Sequence, residues 1–207
     1  AVCGMTDWSA ERLARAVLSQ VCEPGDPRLT RLVAGHGAVA AVEALRRGGA
    51  QSAWGLRAMA VDEAEIVARA ERLNLRYVIP TDQEWPHALA DLGHCEPVGG
   101  MGGQPLGLWV LGEARLVSWL GNAVAVVGAR AATHYGVSVA TEMAGRLSSE
   151  EFGFTVVSGG AYGIDAAAHR GALAAGGVTA AVLACGVDRP YPSAHAACSN
   201  ASPRTAF

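Results

Sequence analysis

Residues 124–136 read VAVVGARAATHYG, and residues 155–169 read TVVSGGAYGIDAAAH. Each stretch begins with β-branched and small apolar residues, turns at glycines and continues into an alanine-rich segment. This order predicts a strand, a tight loop and a helix, twice in succession. A third apolar run, VTAAVLA at 178–184, predicts another strand. Because the runs are continuous rather than alternating, they indicate strands buried on both faces of a parallel sheet.

The same pattern predicts where a ligand would bind. In open parallel sheets, ligands bind at the carboxyl ends of the strands. The three strand ends here, at 128–130, 158–160 and 185–188, are small, glycine-bearing or polar. The helices predicted to begin near Gly136 and Gly163 direct their free N–H groups at this edge, which favours a phosphate or another anion.

The rest of the chain divides into two parts. The sequence pattern predicts a small helical domain at residues 1–75, of the SAM or helix-hairpin-helix type. It predicts the sheet domain at residues 76–207. Helices are expected at 10–21 after the N-cap Ser9, and at 27–34, 38–47 and 61–75. Short strands are expected at 77–80 and 106–111, the second leading into the main sheet. The Gly-His-Gly turn at 35–37 either contacts a nucleic-acid backbone or, as such turns more often do, only joins two helices.

Composition narrows the class of protein. Hydrophobic residues make up 51% of the 207 residues, enough for a core, and the net charge of −3 gives no sign of a polyanion partner. The five cysteines lack paired spacing, which argues against zinc and disulfides and fits a reducing cytoplasm. No apolar run approaches the length of a membrane span, and no secretory signal is visible. A cytoplasmic protein is therefore expected.

Several ordered blocks carry a family resemblance. They are EPGDPRL at 23–29, RYVIPTDQEWPHAL at 76–89, PLGLWVLGE at 105–113, the two glycine-loop stretches, and TAAVLACGVDRPYP at 179–192. Over about residues 11–195 the chain resembles the DprA/Smf family of DNA-processing proteins. The resemblance implies an extended Rossmann-like domain behind a small helical domain. It also implies a protein that binds and protects single-stranded DNA and helps load RecA during natural transformation, without catalytic activity or a cofactor.

The resemblance marks Arg130 as the leading candidate for a DNA contact. It lies two residues past the first strand, where a guanidinium can hold a phosphate, although a surface salt bridge is the alternative. His134 and Tyr135 either stack on a base or cover the core. Tyr162 stands where many relatives carry arginine or lysine, and it can stack instead. The predicted DNA- or phosphate-binding set is Gly128, Arg130, Thr133, Tyr135, Gly136, Ser158, Gly159, Gly160, Tyr162, Gly163 and Arg170.

Two polar residues of the second helix raise the question of catalysis. Asp165 and His169 share a helix face because they lie four residues apart. An acid–base pair is one interpretation, but a structural role near the site is favoured for both residues and for Asp188. Neither catalytic residues nor a metal site is predicted.

Charge limits the expected affinity. Between residues 121 and 197, four arginines stand against five acidic residues. Nonspecific binding to single strands usually relies on a positively charged groove. Binding here must depend on local groups, and it is expected to be weak.

Two other classes stay open. A nucleotide-handling enzyme such as a phosphoribohydrolase also uses glycine turns, but its PGGxGTxxE-like segment and the dinucleotide fingerprint GxGxxG are absent.

An inactive fragment is the other class, because residues 198–207, CSNASPRTAF, match nothing in the family. Read in another frame, one back-translation of residues 197–207, ACSNASPRTAF, gives LLERIAENGF, an amphipathic helix of the kind that the family places there. We therefore expect a truncated or frameshifted product with a Rossmann-like sheet incomplete at its C-terminus, an impaired homodimer and poor solubility.

Overall fold

The computed structural model describes residues 7–112 and 115–187, together with the backbone of Thr205–Ala206. The chain divides into two units, Ala1–Trp109 and Val110–Phe207. The predicted helical domain at 1–75 lies within the first unit, and its boundary stays a prediction. Within the described residues, no helix combines the length and apolarity that crossing a membrane requires.

The first unit begins with helices that start at capping residues. Ser9, Asp26, Ser52 and Asp62 each accept a hydrogen bond from a backbone N–H group of the helix that follows. The helices are α1 (Ala10–Val21), α2 (Pro27–His36), α3 (Ala38–Gly48), α4 (Ala53–Ala60) and α5 (Glu63–Arg72). Four of the five were predicted, and α4, which contains Gly55, was missed. Helix α5 ends earlier than predicted because Asn74 takes φ 51°, a left-handed conformation that ends helices.

Strand β2 (Leu108–Leu111) pairs with β1 (Leu75–Val78) in a two-stranded sheet. The prediction that this segment joins the main sheet was therefore wrong. Aromatic packing explains the pairing: the rings of Tyr77 and Trp109 lie 4.6 Å apart, centroid to centroid. Trp109 Nε1 donates to Ser19 Oγ at 3.2 Å, and the Tyr77 hydroxyl donates to the Arg15 carbonyl at 3.1 Å. These bonds fasten the small sheet to α1.

Two carboxylates of the first unit are held in their charged form. Hydrogen bonding from the Arg28 side chain lowers the pKa of Asp26 to about 2. Burial on its own would raise the pKa of Asp82, but hydrogen bonds from Arg12 and the Ile79 N–H outweigh it and lower that pKa. The Arg12 guanidinium bonds both oxygens of Asp82, at 2.5 and 2.8 Å. Asp82 therefore ties α1 to the chain that follows β1.

We expect the free energy of unfolding to fall as the pH drops from 5 to 3. The folded pKa values of Asp26 and Asp82 are lowered, so the unfolded state binds more protons as the pH falls below the ordinary pKa, about 4. The stability that both groups contribute is complete above pH ~5 and is lost towards pH 2. Urea unfolding followed by circular dichroism at each pH measures the effect.

A matched pair of variants assigns this pH dependence to Asp82. Asp82→Asn should lower stability by about 2 kcal/mol at pH 7 and flatten the profile, because it removes charge-assisted hydrogen bonds. Asp91→Asn replaces an exposed carboxylate, and it should leave the stability at pH 7 and its pH dependence unchanged. An Asp82→Asn profile as steep as that of the unaltered chain would contradict the assignment.

The second unit is built on parallel strands. Its elements are α6 (Leu116–Leu120), β3 (Ala123–Ala125), α7 (His134–Leu147), β4 (Thr155–Gly159), α8 (Ile164–Ala174), β5 (Thr179–Val182) and β6 (Thr205–Ala206). The order across the sheet is β3-β4-β5-β6, and each neighbouring pair is parallel. This confirms the predicted Rossmann-like parallel sheet, in which α7 and α8 connect successive strands. No strand was predicted at Thr205–Ala206.

Helices α7 and α8 pack closely through small residues. Ala140 and Ala144 of α7 and Ala168 and Ala172 of α8 are buried. Gly171 lies against the Thr141 carbonyl, where a Cβ atom would overlap the backbone. Val126, the residue after β3, and Val156 of β4 complete the core of the unit.

Candidate nucleic-acid interface

Two loops meet at the carboxyl edge of the sheet. We call them together the rim: residues 127–133 after β3 and residues 160–163 after β4. The Ile164 N–H donates to the Ala129 carbonyl at 3.2 Å, which joins the start of α8 to the first loop. Gly163 takes φ +80°, and a Cβ atom there would overlap the carbonyl groups of Ala129 and Arg130. The two loops are therefore fastened to each other through glycine.

A second close contact shapes the first loop. A Cβ atom on Gly128 would lie 2.7 Å from Ile164 Cγ1, so the isoleucine side chain fits only beneath a glycine. Helix α7 begins at His134, two residues before the predicted start, because Thr133 caps it. Thr133 Oγ1 accepts a hydrogen bond from the Gly136 N–H at 3.1 Å.

The first loop presents polar and aromatic groups to solvent. Arg130 is exposed, and no carboxylate of the described residues lies within ion-pairing distance of it. Thr133 is also exposed; as the cap it acts as an acceptor, so its hydroxyl proton is still available to a ligand. Tyr135 is 80% exposed in the first turn of α7. This side of the rim therefore offers a guanidinium, a hydroxyl and a ring.

The polar side chains at the end of β4 and the start of α8 form hydrogen bonds within the unit. Ser158 is 2% exposed, and its hydroxyl donates to the Val126 carbonyl at 2.5 Å, so it joins β4 to the end of β3. The buried carboxylate of Asp165 accepts from the Ala161 N–H at 3.3 Å. Asp165 therefore places a negative charge at the first turn of α8, where an anion would otherwise be favoured. The cationic part of the rim lies at Arg130.

His169 connects three elements below the second loop. Its Nε2 atom lies 2.9 Å from the Gly159 carbonyl oxygen, and its Nδ1 atom lies 2.7 Å from Thr179 Oγ1. The Thr179 hydroxyl donates in turn to the Val156 carbonyl at 2.8 Å. Sequence reasoning missed Thr179, and the available signal was a single polar residue in the apolar run at 178–184.

The remaining predicted site residues lie in several places. Gly159 and Gly160 are half-buried, and Tyr162 is 51% exposed in the second loop. Arg170 is exposed on α8, roughly 9 Å along the helix axis from Ile164, so it lies away from the rim. Asp188 lies outside the described residues. Nowhere in 7–112 or 115–187 do three or more His, Cys, Asp or Glu side chains form a group that could hold a metal ion.

A parallel sheet with glycine loops and helices that connect successive strands defines a Rossmann-like domain. The family model for DNA recombination-mediator protein A matches residues 76–203. The chain belongs to this family of DNA-processing proteins, the DprA/Smf family, as its sequence blocks predicted.

The relatives agree with this assignment. The DNA processing protein DprA of Mycobacterium tuberculosis H37Rv is 44% identical over 196 residues, which cover 89% of this chain and 48% of that protein. Protein Smf of Escherichia coli K12 is 37% identical over 125 residues, 58% of this chain and 29% of the relative. The crystal structure of DprA from Streptococcus pneumoniae shares the fold, with a TM-score of 0.63, 24% identity, and coverage of 89% of this chain and 61% of that one. This chain spans about half the length of the M. tuberculosis relative.

Proposed function

We propose that this chain binds single-stranded DNA along the rim, protects it and helps load RecA during natural transformation. The observation that carries the proposal is Arg130, an exposed guanidinium without an ion-pair partner among the described residues. It lies on a loop that glycine contacts hold in place. A guanidinium in this setting can hold a phosphate with two parallel hydrogen bonds. Membership of a recombination-mediator family supports the choice of DNA as the ligand.

The exposed rings favour a single strand over a duplex. Tyr135 and Tyr162 are 80% and 51% exposed, one in each half of the site. Aromatic rings bind unpaired bases by stacking, which contributes roughly 1–3 kcal/mol per base without regard to sequence. In a duplex the base faces are already stacked on one another. We propose that Arg130 and Thr133 hold the backbone while the tyrosines contact the bases.

The contacts of the polar residues support a binding role rather than catalysis. The Asp165 carboxylate is buried and hydrogen-bonded to the second loop. The ring nitrogens of His169 both lie within hydrogen-bonding distance of oxygen atoms inside the unit. A general acid or base must reach the substrate proton it transfers. The Asp165 side chain instead contacts the Ala161 N–H, and the His169 ring contacts the Gly159 carbonyl and Thr179.

A salt titration tests the proposal. Fluorescence anisotropy of a labelled oligothymidine and of a duplex of equal length should show tighter binding of the single strand. Its affinity should fall with salt, with a log–log slope of about −0.7 for each phosphate held. An abasic oligonucleotide should bind more weakly if the tyrosines stack. Equal affinity for the single strand and the duplex would contradict the proposal.

RecA loading needs a separate measurement. Filament assembly on the same oligonucleotide should be faster with this chain present than without it. An unchanged assembly rate at saturating chain would remove the loading step from the proposal and leave DNA binding in place.

A further inference from the structure

His169 is a buried histidine whose two ring nitrogens both face oxygen atoms. The residue is 9% exposed. Its Nε2 atom lies 2.9 Å from the Gly159 carbonyl oxygen, and its Nδ1 atom lies 2.7 Å from Thr179 Oγ1. A carbonyl oxygen only accepts hydrogen bonds, so the contact with Gly159 requires a hydrogen on Nε2. Whether Nδ1 also carries a hydrogen therefore decides the charge of the ring.

Thr179 has one hydroxyl proton and two neighbours that accept it. Its Oγ1 atom lies 2.8 Å from the Val156 carbonyl oxygen and 2.7 Å from His169 Nδ1. When the hydroxyl donates to Val156, Nδ1 must donate to Oγ1, and the ring is an imidazolium cation. When the ring is neutral, the hydroxyl turns to Nδ1 and its bond to Val156 is lost. The three hydrogen bonds are formed together only with the charged ring.

A buried carboxylate contacts the same glycine. Asp165 is 8% exposed, and its Oδ2 atom lies 2.6 Å from the position that a Cβ atom on Gly159 would take. The carboxylate and the imidazole are therefore closer together than the Debye length, which is about 10 Å at 0.1 M salt. A charged His169 offsets the negative charge of Asp165, whereas a neutral His169 leaves that charge without this counter-charge.

The elements packed against α8 bring no further buried charge to this position. Strands β4 and β5 contain no titratable side chain, and Cys185 after β5 is half-buried. In the described part of the unit, the titratable side chains of α7, of the second loop and of the rest of α8 are exposed: His134, Tyr135, Glu142, Arg146, Tyr162 and Arg170. The proton on His169 therefore changes the buried charge beside the second loop by one unit.

We propose that the proton on His169 Nδ1 regulates the affinity of the rim for the phosphates of a single strand. This inference rests on the proposed function, because it concerns the same site. With the ring charged, Asp165 is balanced and the rim presents the positive charge of Arg130. With the ring neutral, Asp165 opposes Arg130 and repels a phosphate. Affinity therefore rises as the pH falls through the range in which histidine ordinarily changes charge, and DNA binding in turn favours uptake of the proton.

Nuclear magnetic resonance of the nitrogen-15-labelled full chain, without DNA, tests the proton directly. Both ring nitrogens of His169, assigned by comparison with His169→Gln, should carry hydrogen at pH 5.5, and Nδ1 should lose its hydrogen by pH 8. Thr179→Val leaves a buried Nδ1–H without an acceptor, so it should shift this titration to lower pH, and Thr179→Ser should restore it. A ring with the same protonation at both pH values, or a titration that Thr179→Val leaves unmoved, would overturn the inference.

Fluorescence anisotropy of a labelled oligothymidine, at pH 5.5 and pH 8 and constant ionic strength, measures the effect on DNA binding. A His134→Gln background removes the exposed histidine that begins α7 and titrates in the same range. In this background the affinity should be about three- to tenfold higher at pH 5.5, as expected for one unit of charge near a phosphate. Adding His169→Gln, which keeps a donor for Gly159 without the charge, should hold the affinity at the pH 8 level.

The outcomes separate this inference from the proposed function. If the chain binds DNA with the same pH dependence whether residue 169 is histidine or glutamine, the proton on His169 does not regulate the rim. A chain that binds no single strand at either pH would remove the proposed function, while the nuclear magnetic resonance titration still tests the proton on His169.

Discussion

Replacing Gly163 with alanine is expected to destabilise the second unit by about 3 kcal/mol or more and to abolish binding of single-stranded DNA at the rim. Gly163 has φ +80°, which an L-residue adopts at a cost of roughly 1–3 kcal/mol. The added Cβ also overlaps the carbonyl groups of Ala129 and Arg130, so the first loop must move away. Thermal unfolding of the second unit should show a loss of roughly 12–24 °C in Tm.

Gly153→Ala provides a matched control for this substitution. Gly153 also has a positive φ, +64°, but nothing lies within 4 Å of the position that its Cβ would take. Its replacement should cost only the conformational strain, about 1–2 kcal/mol, and should leave DNA affinity unchanged. Equal losses for the two variants would show that the contact between the loops contributes nothing.

Replacing Arg130 with alanine should weaken binding of single-stranded DNA by about 10- to 100-fold without changing the stability of the fold. A hydrogen bond to a charged group contributes about 1.5–3 kcal/mol, which corresponds to this range. The salt dependence should also become shallower by about 0.7 in the log–log slope, because one phosphate contact is lost. Exposed substitutions without partners usually change stability by less than about 0.5 kcal/mol.

The control for Arg130 removes an equal charge elsewhere. Arg47→Ala deletes an exposed guanidinium of α3, whose ion pair with Glu43 spans 3.6 Å. It should change the affinity and the salt slope little. If Arg130→Ala and Arg47→Ala bind the oligonucleotide equally well, the rim is not where DNA binds.

The two strand–loop–helix segments of the sheet domain could be predicted because all the local sequence signals in them indicate the same structure. β-Branched runs, glycines at the turns and a capping threonine all indicate the same structure. The pairing of β2 could not be predicted in this way. It depends on Trp109 reaching Tyr77 and Ser19, residues distant in sequence, and no periodicity encodes such a contact.

The candidate site stays a prediction. The rule that ligands bind at strand ends predicts its position, and the family resemblance marks Arg130 as a DNA contact. The partners of Ser158 and Asp165 did not follow, since a hydroxyl or a carboxylate at a strand–helix junction has several neighbours within reach. In the structure, Ser158 bonds the Val126 carbonyl and Asp165 bonds the Ala161 N–H. The tertiary fold places both of these backbone groups.

The bond between the Ile164 N–H and the Ala129 carbonyl has a thermodynamic consequence for any ligand. Because the two loops are joined before a ligand arrives, binding need not order them. The entropy lost on association then falls mainly on the nucleic acid, whose free single strand samples many conformations. Segments that are already extended in solution should therefore bind better than segments that must first unfold from hairpins.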